Sequence, residues 1–392
     1  MKKNKSKTWH SLTRLGIILF TALIIFSGCQ KTLDKPVMQD VSNADAAFKN
    51  GVKQKKNFEQ TNLVASNAEY NAARIDPLLV NSWGIAFSPG GTAWVNAQGG
   101  HISAVYNSEG LQVRPAVNIP SPGGPTGGNP TGIVFSGSAT DFKLPAPNNQ
   151  PARFLFVGVD GVLSGWNGAA GNNALLIKNN VATSAYTGLA LATSAGANFL
   201  YAANFRARRI DVFDKNFNAV AMPFTDPGLP AGYSPFNIQK VEDVLYVMYA
   251  KVGSNGRSEA GLGKGYVDIY NTNGMLVKRF ASGAQLDAPW GVAKAPATFF
   301  EDAEESGDDD NEPAILVGNF GNGHINAYKT NGKFIGELAL HKAPLVIEGL
   351  WAITFAPTTA TSIDPNRLYF AAGPDEETHG LFGFIKKKQD VD

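Results

Sequence analysis

The sequence predicts an all-β fold: a six-bladed β-propeller of four-stranded blades, its ring closed by an N-terminal strand that joins the last blade. Three observations carry that expectation. Short apolar runs punctuated by Gly, Pro and Asn dominate a chain that holds 42 Gly and 22 Pro, and few segments show helical periodicity. One run, Trp-Gly-Ile or a close variant, recurs six times, and its middle residues (Gly84, Gly132, Gly188, Asn237, Gly291, Ala352) stand 48, 56, 49, 54 and 61 residues apart. Periods of that size with four strands each mark a propeller. The last repeat has only three strands, and a spare apolar strand at residues 62–66 precedes the first, so pairing the two leaves no bare inner edge.

The chain begins with Lys2, Lys3, Lys5, Lys7 and Arg14, followed by a twelve-residue apolar core at 15–26 that is too short to span a bilayer comfortably. Cys29 is the only cysteine, which excludes an intramolecular disulfide. The run Phe26-Ser27-Gly28-Cys29 resembles the bacterial lipobox, with Phe26 in place of the usual Leu. That resemblance implies a lipoprotein signal peptide over 1–29 and lipidation of Cys29. Gln30 in the next position implies sorting to the outer membrane in a cell that has one. Residues 30–60 read as a flexible tether in which Lys53, Lys55 and Lys56 are solvated. The ring is expected over 61–386, with a polar tail at 387–392.

Within the first repeat, residues 83–87, 92–96, 101–106 and 111–113 read as strands joined by turns. Trp83, Ile85 and Phe87 share one face of the first strand and Gly84 and Ala86 the other. A bulky face set against a small one lets neighbouring blades close up, which gives Gly84, Gly132, Gly188 and Gly291 a packing role. Second strands are expected at 93–96, 154–158, 199–204, 244–249, 315–319 and 368–373. Turns at 107–110, 271–274 and 330–333 open fourth strands, where Asn and Gly supply positive φ. Two insertions break the rhythm: a Gly/Pro-rich one at 120–130 and an acidic one at 301–312, the latter without the ordered spacing of a calcium loop.

The third strands Ile210-Asp211-Val212-Phe213 and Gly265-Tyr266-Val267-Asp268-Ile269-Tyr270 resemble those of NHL-repeat six-bladed propellers. Leu79-Val80-Asn81-Ser82-Trp83-Gly84-Ile85-Ala86, Pro289-Trp290-Gly291-Val292-Ala293, Leu316-Val317-Gly318-Asn319-Phe320-Gly321 and Gly380-Leu381-Phe382-Gly383 resemble, more narrowly, a family of exported bacterial propellers with no established activity. Glu348-Gly349-Leu350-Trp351 is similar, one residue short, to the start of senescence-marker-type gluconolactonases. Those hold a divalent metal in the channel with Glu, Asn and Asp. Their strand-start Asn and Asp are Thr131 and Trp290 here.

The start of each first strand and the end of each second strand lie on one rim, so candidate ligand-binding residues are Trp83, Asn96, Asn204, Trp290, Asn319, Glu348 and Trp351. The tryptophans offer an aromatic arc for stacking on a sugar or another ring, or else pack between blades. The asparagines offer amide oxygens to a cation or sugar, or else cap their own turns. His101, His324 and His379 start third strands, too far out from the axis to share a zinc ion. With 44% hydrophobic and 17% charged residues and a net charge of +1, the chain gives no electrostatic case for nucleic acid. The expected protein is a lipid-anchored extracytoplasmic propeller of the cell envelope, bound to the membrane by its lipid and taking a carbohydrate, small-molecule or envelope-protein ligand at its rim. The alternative is a metal-dependent hydrolase or lactonase using calcium or another divalent ion held by Glu348, Asn204 and Asn319.

Overall fold

The structure, a computed structural model, describes residues 52–300, 313–340 and 343–388. The expected signal peptide at 1–29 with Cys29, most of the expected tether, the acidic run at 301–312 and the end of the expected tail lie outside the described residues.

Six sheets follow one another in chain order, each antiparallel in its main path. Blade 1 comprises Ser82–Phe87, Ala93–Ala97, Ile102–Tyr106 and Val117–Asn118. Blade 2 comprises Pro130–Phe135, Phe154–Gly158, Val162–Trp166 and Leu175–Asn179. The innermost strands of blades 3 to 6 are Tyr186–Ser194, Tyr233–Val241, Pro289–Lys294 and Leu350–Phe355. Each innermost strand packs on the next, and the sixth packs on the first, so the ring closes.

The closure is the one expected. Phe58–Ala65 forms the outer strand of blade 6, antiparallel to Leu381–Lys387, with Phe58 opposite Lys387 and Ala65 opposite Leu381. Strand pairing is nevertheless present before residue 61. Gln54–Lys55 adds in parallel to the outer strand of blade 5, so the distal part of the expected tether belongs to the ring. Phe58 explains why: its ring is buried 5.1 Å from Phe299 and 5.9 Å from Phe300, which a short 3₁₀ turn of blade 5 presents. Burying one such side chain contributes about 1.5–3 kcal/mol, enough to hold a strand end that would otherwise fray. At the other end, Lys387 is still in the strand, one residue past the expected limit of the ring.

The small–large alternation works between blades as expected. A Cβ on Gly132 would stand 2.5 Å from the backbone nitrogen of Leu189, and one on Gly291 2.8 Å from the Trp351 carbonyl oxygen. Both partners are main-chain atoms of the next blade and cannot give way. Blade 4 carries Asn237 at the equivalent place, and its amide donates to the Trp290 carbonyl at 2.8 Å, tying blade 4 to blade 5. The turn at 107–110 forms as expected, with Gly110 at φ +74° and the Asn107 side chain accepting from the Leu111 amide at 2.9 Å. The fourth strand of blade 1 does not form at 111–113. Only Gln112 bridges to Tyr106, Pro115 follows without a donor, and regular pairing starts at Val117. The 120–130 insertion folds into a small hairpin of Pro120–Ser121 with Gly124–Gly127.

Candidate functional site: a cup above an aromatic plug

Every innermost strand shifts register at its entry: between Ser82 and Ile85, Pro130 and Ile133, Tyr186 and Gly188, Pro235 and Asn237, Pro289 and Gly291, and Leu350 and Ile353. A bulge re-aims the extra side chain out of the sheet. The residues inside these six shifts include Trp83, Thr131, Thr187, Phe236, Trp290 and Trp351. Their contacts run between blades that are not neighbours, which only residues turned toward the axis can achieve. Trp290 of blade 5 donates Nε1 to the Thr187 carbonyl of blade 3 at 2.9 Å, and Phe236 of blade 4 lies 5.6 Å from Trp351 of blade 6.

The result is a plug. Trp351 is stacked between Trp83 at 3.5 Å and Phe320 at 3.9 Å, with Trp290 edge-on at 6.0 Å. All three tryptophans are buried. The expected aromatic arc therefore exists, but as a packed floor. Trp290 faces the channel end where the innermost strands finish, lining a well of about 250 Å³ with Phe87, Leu189 and Ile353. Trp83 and Trp351 face the opposite end, where they floor a cup of about 400 Å³.

Every blade contributes to the cup from the loop that follows its second strand: Gln98, Val159, Phe205, Arg257, Phe320 and Glu377 in blade order. The wall is asymmetric. Phe205, Phe236 and Phe320 make an apolar side, while Gln98, Arg257 and Glu377 bring hydrogen-bonding and charged groups. One asparagine organises the polar side. Asn81 accepts from the Trp351 indole at 2.9 Å and donates to Gln98 at 3.0 Å and to Glu377 at 2.9 Å. Gln98 passes the chain on to Asn129 at 2.9 Å. The plug thus fixes the side chains above it.

Glu377 is the most perturbed group there. Burial pushes its carboxyl above the usual range, against the pull of Arg257 at 4.0 Å and of Asn81. It ends a run of three non-glycine residues in the left-handed region: Asp375, Glu376 and Glu377, at φ +54°, +53° and +69°. Each such residue costs on the order of 1 kcal/mol, and strain of this kind concentrates at binding and catalytic sites. Glu348 supports the turn from outside, its Oε1 accepting from the Asp375 amide at 3.0 Å.

Of the expected site residues, the cup contains Trp83 and Trp351. Trp290 lines the other end of the channel, and Glu348 is an exposed brace for the blade 6 loop. Asn96, Asn204 and Asn319 are fully buried and none lines the cup. Asn96 ties blade 1 to the Thr131 carbonyl of blade 2 at 3.0 Å. Asn204 is consumed by its surroundings, accepting from the amides of Ala207 in its own loop at 3.1 Å and of Ala185 before the first strand at 3.2 Å, and donating to Ser184 and Asp211. Asn319 donates to the Gln285 carbonyl at 2.8 Å. No hydrogen bond among the described residues joins any two of Glu348, Asn204 and Asn319, and no group of three or more His, Cys, Asp or Glu among them could hold a metal ion. His101, His324 and His379 serve separate places: the Gly128 carbonyl at 2.9 Å, Glu337 at 2.9 Å, and the Ser66–Asn67 corner. Sequence reasoning missed Gln98, Arg257 and Glu377. Taking the loop after each second strand as an aligned set would have singled them out.

No family model matches the chain, so the likeness to NHL-repeat propellers stands on the strand pattern alone. A solved protein of unknown function from Bacteroides thetaiotaomicron shares the fold, with 10% identity and a TM-score of 0.50 over 79% of this chain and 70% of that one. Two proteins of Acanthamoeba polyphaga mimivirus are much nearer in sequence. Uncharacterized protein L690 is 33% identical over 349 residues, covering 84% of this chain and 86% of its own, and uncharacterized protein R648 is 31% identical over 341 residues, covering 84% and 80%. The chain belongs to the family of these two viral proteins, and its fold is a six-bladed β-propeller.

Proposed function

We propose that the protein is a binding propeller whose cup takes a small molecule with one flat apolar face and a hydrogen-bonding edge, a description that carbohydrates fit. The observation that carries this reading is Glu377. A strained turn holds it over an aromatic floor, and Asn81 engages one of its oxygens, Oε2, leaving Oε1 without a hydrogen bond among the described residues. A fold keeps such a costly arrangement where it serves recognition. The sequence of residues 1–29 supports attachment of the propeller through lipid at Cys29 on the extracytoplasmic side of a bacterial envelope, with the ligand drawn from that compartment.

The test is titration with a panel of neutral disaccharides, cellobiose, maltose and chitobiose, read by ligand-observed NMR and by tryptophan emission from the floor. Binding by at least one sugar is expected, weakened tenfold or more by Gln98→Ala and by Glu377→Gln. Binding that ignores both substitutions, or no sugar binding at all, refutes the reading. For the anchor, Cys29→Ser should move the protein from the detergent phase to the aqueous phase on Triton X-114 partition; an unchanged distribution sinks that part.

A further inference from the structure

We infer that the cup is one end of a longer groove built for an acidic carbohydrate, with its anionic group at the blade 3–blade 4 side. This rests on the reading of the cup as a ligand site and adds the class of ligand. The observation is a second cavity of about 550 Å³ that shares walls with the cup: Val159, Ala185, Phe205, Asn255 and Gly256 line both. The side chamber adds Arg206 and Arg208, both exposed, from the loop after the second strand of blade 3. Arg257, on the next blade, stands in the cup wall beside the shared residues.

The charges are not balanced within the groove. Three guanidiniums face two carboxylates, Asp160 and Glu377. Asp160 is turned to the backbone, accepting from the amides of Asn129 at 2.9 Å and Val162 at 3.3 Å. Glu377 accepts from Asn81 at 2.9 Å and has Arg257 at 4.0 Å as its cationic neighbour. Neither Arg206 nor Arg208 has a carboxylate partner among the described residues. Arg209, next in the chain, is paired with Asp211 at 2.6 Å, and among the described residues Arg206 donates to the Val181 carbonyl at 2.9 Å. Arginine presents a planar fork of donors that matches a carboxylate in a two-point contact, and two on one loop with no carboxylate partner among the described residues suit an external anion. The distal cup, with Gln98, Glu377 and aromatic walls, suits the uncharged hydroxyl-bearing ring of the same molecule.

Digalacturonic acid and its dimethyl ester separate charge from shape, because they share a ring skeleton. Calorimetric titration at low salt should give at least tenfold tighter binding of the acid, with the difference shrinking at 0.5 M NaCl. The double substitution Arg206→Gln with Arg208→Gln should abolish the preference through at least a tenfold loss of acid binding, with circular dichroism as the check that the variant is folded. Inorganic phosphate distinguishes a plain anion site: competition by phosphate as effective as by the diacid overturns the carbohydrate assignment. Ester binding as tight as acid binding, or a preference that survives the double substitution, overturns the acidic assignment and leaves the cup reading standing. Failure of every sugar, neutral or acidic, overturns both.

Discussion

Replacing Trp351 probes the link between plug and cup most directly. Trp351→Ala removes an indole stacked on Trp83 and Phe320 and contacted by Phe236 and Trp290, and leaves Asn81 without its donor. Truncating a buried aromatic of this size costs about 3–5 kcal/mol. Unfolding entropy near 2.1 cal/mol/K per residue gives roughly 0.7 kcal/mol/K for a ring of this length, so Tm should fall by about 4–7 °C. Trp351→Phe keeps a stacked ring but still strands the Asn81 oxygen, at a cost of about 1–3 kcal/mol for the buried unsatisfied acceptor. Differential scanning calorimetry measures both, and sugar titration reports the second consequence. Once Asn81 is released, Gln98 and Glu377 lose their shared anchor, so even Trp351→Phe should weaken cup binding. A Trp351→Ala protein that melts within 1 °C of the parent would refute the plug as a supporting element, and a Trp351→Phe protein with unchanged sugar binding would refute its control of the cup.

Three further outcomes are expected. Because burial raises the Glu377 pKa, the folded state holds its proton above the pH at which the unfolded chain releases it, so this group lowers stability progressively as pH rises past the ordinary glutamate range. Glu377→Gln should therefore raise Tm at pH 8 and make no difference at pH 4; an equal effect at both, in thermal melts, contradicts the assignment. Arg279 bridges the fully buried Asp268 and Asp226, so Arg279→Ala should cost about 3–5 kcal/mol in urea unfolding, partly recovered by adding Asp268→Asn; no recovery would mean that the lost packing over Tyr266, not the stranded carboxylate, sets the cost. Removing residues 1–51 should leave a folded ring, whereas removing 1–65 strips the outer strand of blade 6 and exposes its edge, giving aggregation in size-exclusion runs; a monomeric, cooperatively melting 66–392 protein would contradict the closure.

The ring was legible because its cause is local and repeated. Each Trp-Gly-Ile run encodes one inner strand, and counting runs counts blades. The spare strand at 62–66 was legible by arithmetic on the same pattern. What the period cannot show is where a bulge turns a side chain. Trp83 and Trp351 stand on the rim by position, but their burial follows from register shifts that depend on the neighbouring strand. Asn204 had a sound address and a different occupation, since a residue at a strand end is as readily taken by its own turn as by a ligand. Glu377 was hidden for another reason. No residue type in Pro374-Asp375-Glu376-Glu377 signals three left-handed residues; the turn closes on its own backbone, Glu377 donating to Gly373 at 3.2 Å, and is also held by Asn81 and Glu348, distant in sequence. Arg206 and Arg208 look like ordinary loop cations until two cavities prove to share a wall.

The outer strand of blade 6 is translated among the first residues of the ring, and its partner among the last. A ribosome therefore releases Phe58–Ala65 some three hundred residues ahead of the edge it must cover, and blade 5 also waits for that segment to pass. For the whole of that interval the growing chain carries an unsatisfied β-edge at either end, the state most open to wrong partners. The final blade acts as a clasp that only a nearly finished chain can fasten, so a polypeptide cut short before Leu381 forfeits the pairing that locks the circle.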